Sequence, residues 1–423
     1  MLDREDPRRR ILLELFGAAL GAVEGRRCTR EALSARAARD DPREERRRCW
    51  AIAIGKAASR MMLGARDALG PALERGLVIT KDGHLDPEIL ALEGLETREC
   101  GHPLPDERSL AAGERVLAFL EEMPADVQPL CLISGGASSL VEVLAPGAGY
   151  ADLERLNTEG LARGLPIGEL NRRRGRISCL KAGRLAARLR GQRALALFIS
   201  DVPGDDPAVI GSGLLGPAPR PAGGAGERGG ATGRAGGTDD VERIVIASVT
   251  EALQAVRARS AGLAAQAAPE RFDGDASELA VRFSHELALG TAQLRAWGGE
   301  SVLELPAHPG HGGRNQHLAL ACARLIAGRE DLCLLAAGTD GTDGPTPDAG
   351  GLVDGETCAR IACAGLDVDD CLRRASSGEA LAAAGDLVHT GPTGTNVGDL
   401  VLGLKLPPRA AREWLAAGGS RQP

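Results

Sequence analysis

CWAIAIGKAASRM, residues Cys49 to Met61, reads as a buried strand that runs into a glycine turn and then a helix. Six consecutive apolar residues, Cys49–Ile54, suit a strand covered on both faces. Gly55 permits the turn, and Lys56 then falls at the start of the helix. A cation at that end is poorly explained by helix stability, because the macrodipole there favours anions. An ammonium and the free backbone N–H groups of such a turn can act together on a phosphate. The stretch is not a Walker A loop: its first glycine is missing, and Ala57 stands where Ser or Thr is required.

Five further glycine turns follow short apolar runs: Ser134–Ser139 (SGGASS), Ser200–Asp206 (SDVPGDD), His311–Asn315 (HGGRN), Gly338–Gly344 (GTDGTDG) and Thr390–Asn396 (TGPTGTN). Gly135 and Gly136 followed by Ser138 and Ser139 form a nest of N–H donors with hydroxyls at a helix start, suited to an anion or, equally, to capping that helix. No G-x-S-x-G accompanies these serines, which argues against a serine hydrolase. Asp201, Asp205, Asp206, Asp340, Asp343 and Asp348 crowd the turns; each can coordinate Mg²⁺, orient a hydroxyl or accept its proton, and each can also serve as a turn or cap residue. Arg314 and Asn315 open a helix, where a guanidinium offers a planar fork to a carboxylate or phosphate. His102, His308, His311 and His389 are scattered and are given no catalytic role.

Strand-type runs recur at 49–54, 77–80, 130–133, 194–199, 244–247, 301–305, 332–336, 387–389 and 400–404, with helix-length segments at 110–122, 180–190, 278–297 and 315–327 between them. Alternating strands and helices predict parallel or mixed α/β sheets, in which ligands sit beyond the carboxyl ends of the strands, where the glycine turns fall. A Gly/Pro/Ala/Arg-rich stretch over 216–240 has no periodicity and reads as a linker. The expected division is 1–215, 216–240, 241–407 and a polar tail at 408–423. In the first of these, Ile11, Leu12, Leu15, Phe16, Ala19, Leu20 and Val23 share one helical face, so the N-terminal run is an amphipathic helix and not a leader.

At 423 residues the chain exceeds the usual single core of about 250–300 residues, so two domains are expected. Aromatic residues are only 2% and the net charge is −7, which together argue against a nucleic-acid partner. No run is long and apolar enough to span a membrane. Ten cysteines include no C-x-x-C pair and read as reduced thiols in a cytoplasmic protein. Of 51 basic residues only Lys56, Lys81, Lys181 and Lys405 are lysines, which invites a chemical reason for each.

Eight motifs in order resemble the glycerate 2-kinase family, whose C-terminal half is the MOFRL domain: IGKAA (54–58), GHPLPDE (101–107), LISGGASSL (132–140), LNRRRGRISCLKAGRLA (170–186), SDVPGDDPAVIGSG (200–213), GHGGRNQ (310–316), AGTDGTDGP (337–345) and TGPTGTNVGDL (390–400). The resemblance implies a Rossmann-like α/β/α domain and a smaller second α/β domain with the active site in the cleft between them. It implies transfer of a phosphoryl group from ATP, with Mg²⁺, to the 2-hydroxyl of D-glycerate, giving 2-phosphoglycerate; a homodimer is left open. Carried over by position, Lys56, Arg314 and Asp201 are the expected catalytic residues. Ser134, Gly135, Gly136, Ser138, Ser139, Gly338, Asp340, Thr393, Gly394 and Asn396 are expected to hold the nucleotide, and Asp206 and Asp343 the metal. The chain departs from the family pattern at Ala182 (Gly), at His317 (Glu), at Pro347, which shifts the carboxylate to Asp348, and in the turn after Ser212. The rival readings are a nicotinamide-dependent hydroxypyruvate reductase, against which the absence of G-x-G-x-x-G counts, and a non-catalytic sugar-acid binding protein.

Overall fold

A computed structural model describes residues 6–39, 48–162, 167–189, 192–217 and 240–419. It divides the chain into two compact units, Gly25–Ile246 on one hand and Met1–Glu24 with Ala247–Pro423 on the other. The fold is mixed α/β, with one sheet in each unit.

The first unit is built on β1 (Cys49–Ile54), β2 (Leu73–Lys81), β3 (Leu95–Cys100), β4 (Gln128–Ile133), β5 (Ala194–Ile199) and β6 (Val241–Ala247), in spatial order 3-2-1-4-5-6. The described pairings β3–β2, β2–β1, β1–β4 and β4–β5 are all parallel. Every residue of β1 and of β5 is buried, as expected of strands that helices cover on both faces. The helix Ala58–Leu69 packs on β1 and β2, and the helix Glu107–Glu122 on β2 and β3. The second of these starts where Asp106 and Ser109 form a reciprocal capping box, which gives the aspartate of GHPLPDE a structural job.

The second unit holds β7 (Ala265–Ala267), β8 (Phe272–Asp275), β9 (Leu294–Val302), β10 (Leu332–Gly338), β11 (Gly350–Asp354), β12 (Leu387–Val388) and β13 (Asp399–Lys405). Their order is 12-11-10-13-9-7, with β8 also paired to β9. The sheet is mixed: β9, β10, β11, β12 and β13 pair antiparallel, while β7 and β8 run parallel to β9. The helices Ala276–Leu289 and Arg314–Leu325 pack on one another and on the sheet. Phe283 packs here between Phe272 and Trp297 at centroid distances of 5.3 and 4.7 Å.

The division differs from the expected one at both ends. The predicted amphipathic helix exists as Pro7–Ala22, with Ile11, Leu12, Leu15, Phe16, Ala19 and Val23 buried, but it docks on the C-terminal unit, against the helices Val249–Arg259 and Pro408–Ala416. Arg9 adds buried ion pairs at 2.7 Å to Asp354 and 2.9 Å to Asp386. The residues around Val241 continue the parallel sheet as β6, so the boundary falls at Ala247. Of the expected linker over 216–240, residues 218–239 lie outside the described residues. Of the expected tail, Pro408–Ala416 forms a helix.

Candidate active site

In a 3-2-1-4-5-6 sheet the connections leave β1 and β4 in opposite directions, and a crevice opens beyond the carboxyl ends of those two strands. The turns Gly55–Ala58 and Ser134–Ser139 are the two loops at that point. They are stitched together: Lys56 N–H donates to Gly135 O (2.9 Å), Ala57 N–H to Ser134 Oγ (3.0 Å) and Ser134 N–H to Ile54 O (3.0 Å). Ser134 is fully buried, so its hydroxyl holds the β1 turn in place and does not face a ligand. Gly136 has φ +85°, and a Cβ there would lie 3.2 Å from both Lys56 Cγ and His102 Cδ2. The absent side chain is what lets Lys56 and His102 close over the turn. Sequence reasoning passed over His102; its position in the GHPLPDE motif was the available signal.

Behind this turn, Ser212 Oγ donates to Asn171 Oδ1 (2.8 Å) and lies 2.6 Å from Ser138 Oγ, which also accepts from Arg174 (3.3 Å). Ser139 Oγ is spent on Gly136 O (3.2 Å). Lys181 is buried in an ion pair with the equally buried Glu142; burial pushes its pKa down against the pull of that carboxylate. Two neighbouring motifs carry strain, since Ala182 sits at φ +55° and Ser212 at φ +57°. Asp201 follows β5 directly and is half-buried; Asp206 is exposed, with Oδ1 accepting from Ala208 N–H at 2.8 Å.

The second unit brings three glycine turns together. A Cβ on Gly341 would lie 2.0 Å from Gly391 O, and Thr393 Oγ donates to Thr339 O at 2.5 Å, so the turns after β10 and before β13 are one packed cluster. Gly338, Gly394 and Asn396 are buried within it, and Asn396 Oδ1 accepts from Gly398 N–H (3.4 Å). Asp340 Oδ1 accepts from Thr342 N–H (3.0 Å). The third turn opens the helix Arg314–Leu325. There the Asp343 carboxylate accepts from the N–H groups of Asn315 (3.1 Å) and Gln316 (2.8 Å). It fills the place of a cap, because Gly313, the N-cap residue, has no side chain to do so. Burial pushes the Asp343 carboxyl up to about 7, against those two donors and Arg314.

Arg314 itself is 37% exposed. Its Nη1 donates to Glu300 Oε1 and to Ser301 O, both at 2.8 Å, and its Nη2 lies 3.8 Å from Asp399 Oδ2. Asp399 also accepts from Asn315 Nδ2 (2.9 Å). Burial works against the guanidinium's charge, but Asp399 and Glu300 outweigh it and raise its pKa. Glu300 and Asp399 were not singled out from sequence.

Residues 293–399 match the MOFRL family and residues 11–225 the domain of unknown function DUF4147. The chain is 34% identical to the D-glycerate 2-kinase of Thermotoga maritima, over 94% of this chain and 98% of that protein. It belongs to the glycerate 2-kinase family. The crystal structure of the glycerate kinase from Thermotoga maritima superposes with a TM-score of 0.77, at 32% identity, covering 94% of this chain and 99% of that one. A protein of Agrobacterium vitis named putative hydroxypyruvate reductase is 33% identical over 93% of both chains. As a glycerate 2-kinase family member the chain is a phosphotransferase acting on an alcohol group.

Two departures from the family pattern now have a physical setting. His317 is buried between Ser277 Oγ on Nε2 and Ser377 Oγ on Nδ1, both at 3.2 Å, and burial lowers its pKa, so the ring is a neutral packing element. Asp348 is buried 2.6 Å from His389 Nδ1. The donor set also tests the expected metal. Among the described residues no three His, Cys, Asp or Glu side chains converge as a metal cage. Asp343 fits the role of ligand less well, since it is buried and each of its oxygens already accepts from the helix that it caps. Asp206 fits better, being exposed; Mg²⁺ on a nucleotide takes one or two carboxylates and fills the rest of its shell with phosphate and water.

Proposed function

We propose that this protein transfers the γ-phosphoryl group of ATP, with Mg²⁺, to the 2-hydroxyl of D-glycerate, giving 2-phosphoglycerate. The observation that carries this reading is Lys56: a cation on a glycine turn at the switch point of a parallel sheet, bonded through its backbone to the Gly135–Gly136 turn. Family membership over nearly the whole chain supports the substrate pair.

In the reaction the 2-hydroxyl oxygen bonds to the γ-phosphorus as the bond to the β–γ bridging oxygen breaks, and ADP leaves. Such a transfer needs positioned groups and charge stabilisation more than covalent help from the protein. Lys56 neutralises charge on the phosphoryl oxygens, and the N–H groups of Gly135, Gly136 and Ser138 orient the phosphates, with Ser138 ordered through Ser212. Arg314 takes an anionic group through its planar fork. Asp201 orients the hydroxyl and accepts its proton, and Asp206 would hold the metal, which when bound shields the phosphate charge. The turns containing Gly338, Asp340, Thr393, Gly394 and Asn396 contribute a shaped backbone to nucleotide binding, since the Thr393 hydroxyl is already engaged. No helix among the described residues is long and apolar enough to cross a membrane, and the described cysteines are free thiols; both support a cytoplasmic place.

The name of the Agrobacterium vitis relative keeps a second reading alive, reduction of hydroxypyruvate with a nicotinamide. The turn after β1 opposes it: counted from Gly55, the second and third glycines of a dinucleotide fold would fall at positions held by Ala57 and Arg60. Parallel incubations with ATP, Mg²⁺ and D-glycerate, and with NADH and hydroxypyruvate, separate the two. ADP formation in the first and no NADH loss in the second is expected; the reverse overturns the kinase reading, and silence in both favours a binding protein.

A further inference from the structure

We propose that Arg314 sits in a clamp of two unlike carboxylates, in which Asp399 is its permanent positioning partner and Glu300 a place-holder that the anionic ligand displaces. The proposal rests on the reading of Arg314 as a ligand-binding cation.

The two carboxylates differ in what surrounds them. Asp399, the last charged residue of the TGPTGTNVGDL motif, has a side chain only 5% exposed. It accepts from Asn315 Nδ2 at 2.9 Å and from Ser301 N–H at 3.4 Å, and faces Arg314 Nη2 at 3.8 Å. Removing the cation from beside it would leave a buried charge without compensation, so it stays. It also ties Arg314 to the neighbouring residue of the same helical turn, fixing where the guanidinium points.

Glu300 stands on β9 with its side chain 56% exposed. Its bond to Arg314 Nη1 is short at 2.8 Å, but it is solvent-screened, and exposed pairs of this kind are weak. Nη1 spends its hydrogens on Glu300 and on Ser301 O. A phosphate or carboxylate that engages Nη1 must therefore displace Glu300, whose freed carboxylate is readily hydrated, whereas displacing the backbone carbonyl would strand a buried acceptor. Until then Glu300 keeps the guanidinium extended toward β9.

Isothermal titration of the full chain with D-glycerate, and separately with inorganic phosphate, reads the clamp without turnover. Glu300→Gln lies at the surface and should fold normally; it should bind one of these anions roughly two- to five-fold tighter, with Glu300→Asp closer to the unaltered protein. The gain should persist at high salt, which screens out the effect of merely removing a repelling surface charge. Asp399→Asn should weaken the same anion and lower kcat, with Arg314→Ala at least as weak. Unchanged or weaker binding of both anions by Glu300→Gln overturns the place-holder, and full-strength binding by Asp399→Asn overturns the positioning role. If the clamp behaves as described while no phosphorylated product forms, the kinase reading fails alone.

Discussion

Lys56 and Arg314 share a placement that helix energetics does not reward, a cation in or beside the first turn of a helix. Replacing either with alanine should leave the protein folded and lower kcat by roughly 10²–10³, the usual cost of losing one preorganised charge; the melting curve should stay in place for Lys56→Ala and drop for Arg314→Ala, which leaves Asp399 buried beside no cation. Lys56→Arg should restore part of the rate, because ammonium and guanidinium present their donors differently. Near-normal kcat in either alanine variant would remove that residue from the site. The scarcity of lysine was a usable signal only in part: Lys181 is a buried ion-pair partner, and Lys405 donates to Ala288 O and Gly290 O at the end of a helix. Ala182 makes a separate prediction. At φ +55° it holds a conformation that costs an L-residue about 1 kcal/mol, so Ala182→Gly should raise the melting temperature by roughly 2–4 °C. A lower melting temperature would mean that the alanine methyl is worth more than the strain.

At the scale of elements, the deciding unit is the first turn of the helix Arg314–Leu325, capped from a distance by Asp343. A Cβ at Gly313 would lie 2.1 Å from Asp343 Cγ, so the glycine clears the way for the carboxylate. Asp343→Ala leaves two buried N–H groups unpaired and should cost about 2 kcal/mol, read by chemical denaturation. An unchanged denaturation midpoint with weakened Mg²⁺ dependence would return Asp343 to the metal. The sequence could not separate these roles, because an aspartate 28 residues downstream of a helix start carries no local mark of capping it. Strands were legible where burial made them continuously apolar, as in β1, β4 and β5. β3 (LETREC) was missed because it is largely part-exposed and charged, and β11 (GGLVD) because paired glycines read as a turn. The segment 278–297 was read as one helix, yet the chain leaves the helix at Leu289 and enters β9 at Leu294, since Leu and Trp suit either element.

For the whole molecule, the chain begins in the unit where it ends. Local periodicity identified the apolar face of the helix Pro7–Ala22 but not its partner, because docking depends on contacts remote in sequence. Deleting residues 1–24 would remove six buried apolar side chains and uncover the surface they pack on, on the order of 10 kcal/mol of gross burial, comparable to the whole stability of a domain. Hydrogen exchange should then quicken across 247–419 and leave 48–217 nearly protected; the opposite pattern would refute the division into units. The most direct test of the phosphoryl transfer itself is the phosphorus NMR spectrum of a reaction containing ATP, Mg²⁺ and D-glycerate. The account predicts a new phosphate-ester resonance split into a doublet by one methine proton, as a 2-phosphoester requires. A triplet from a methylene pair, or no new ester at all, would contradict it.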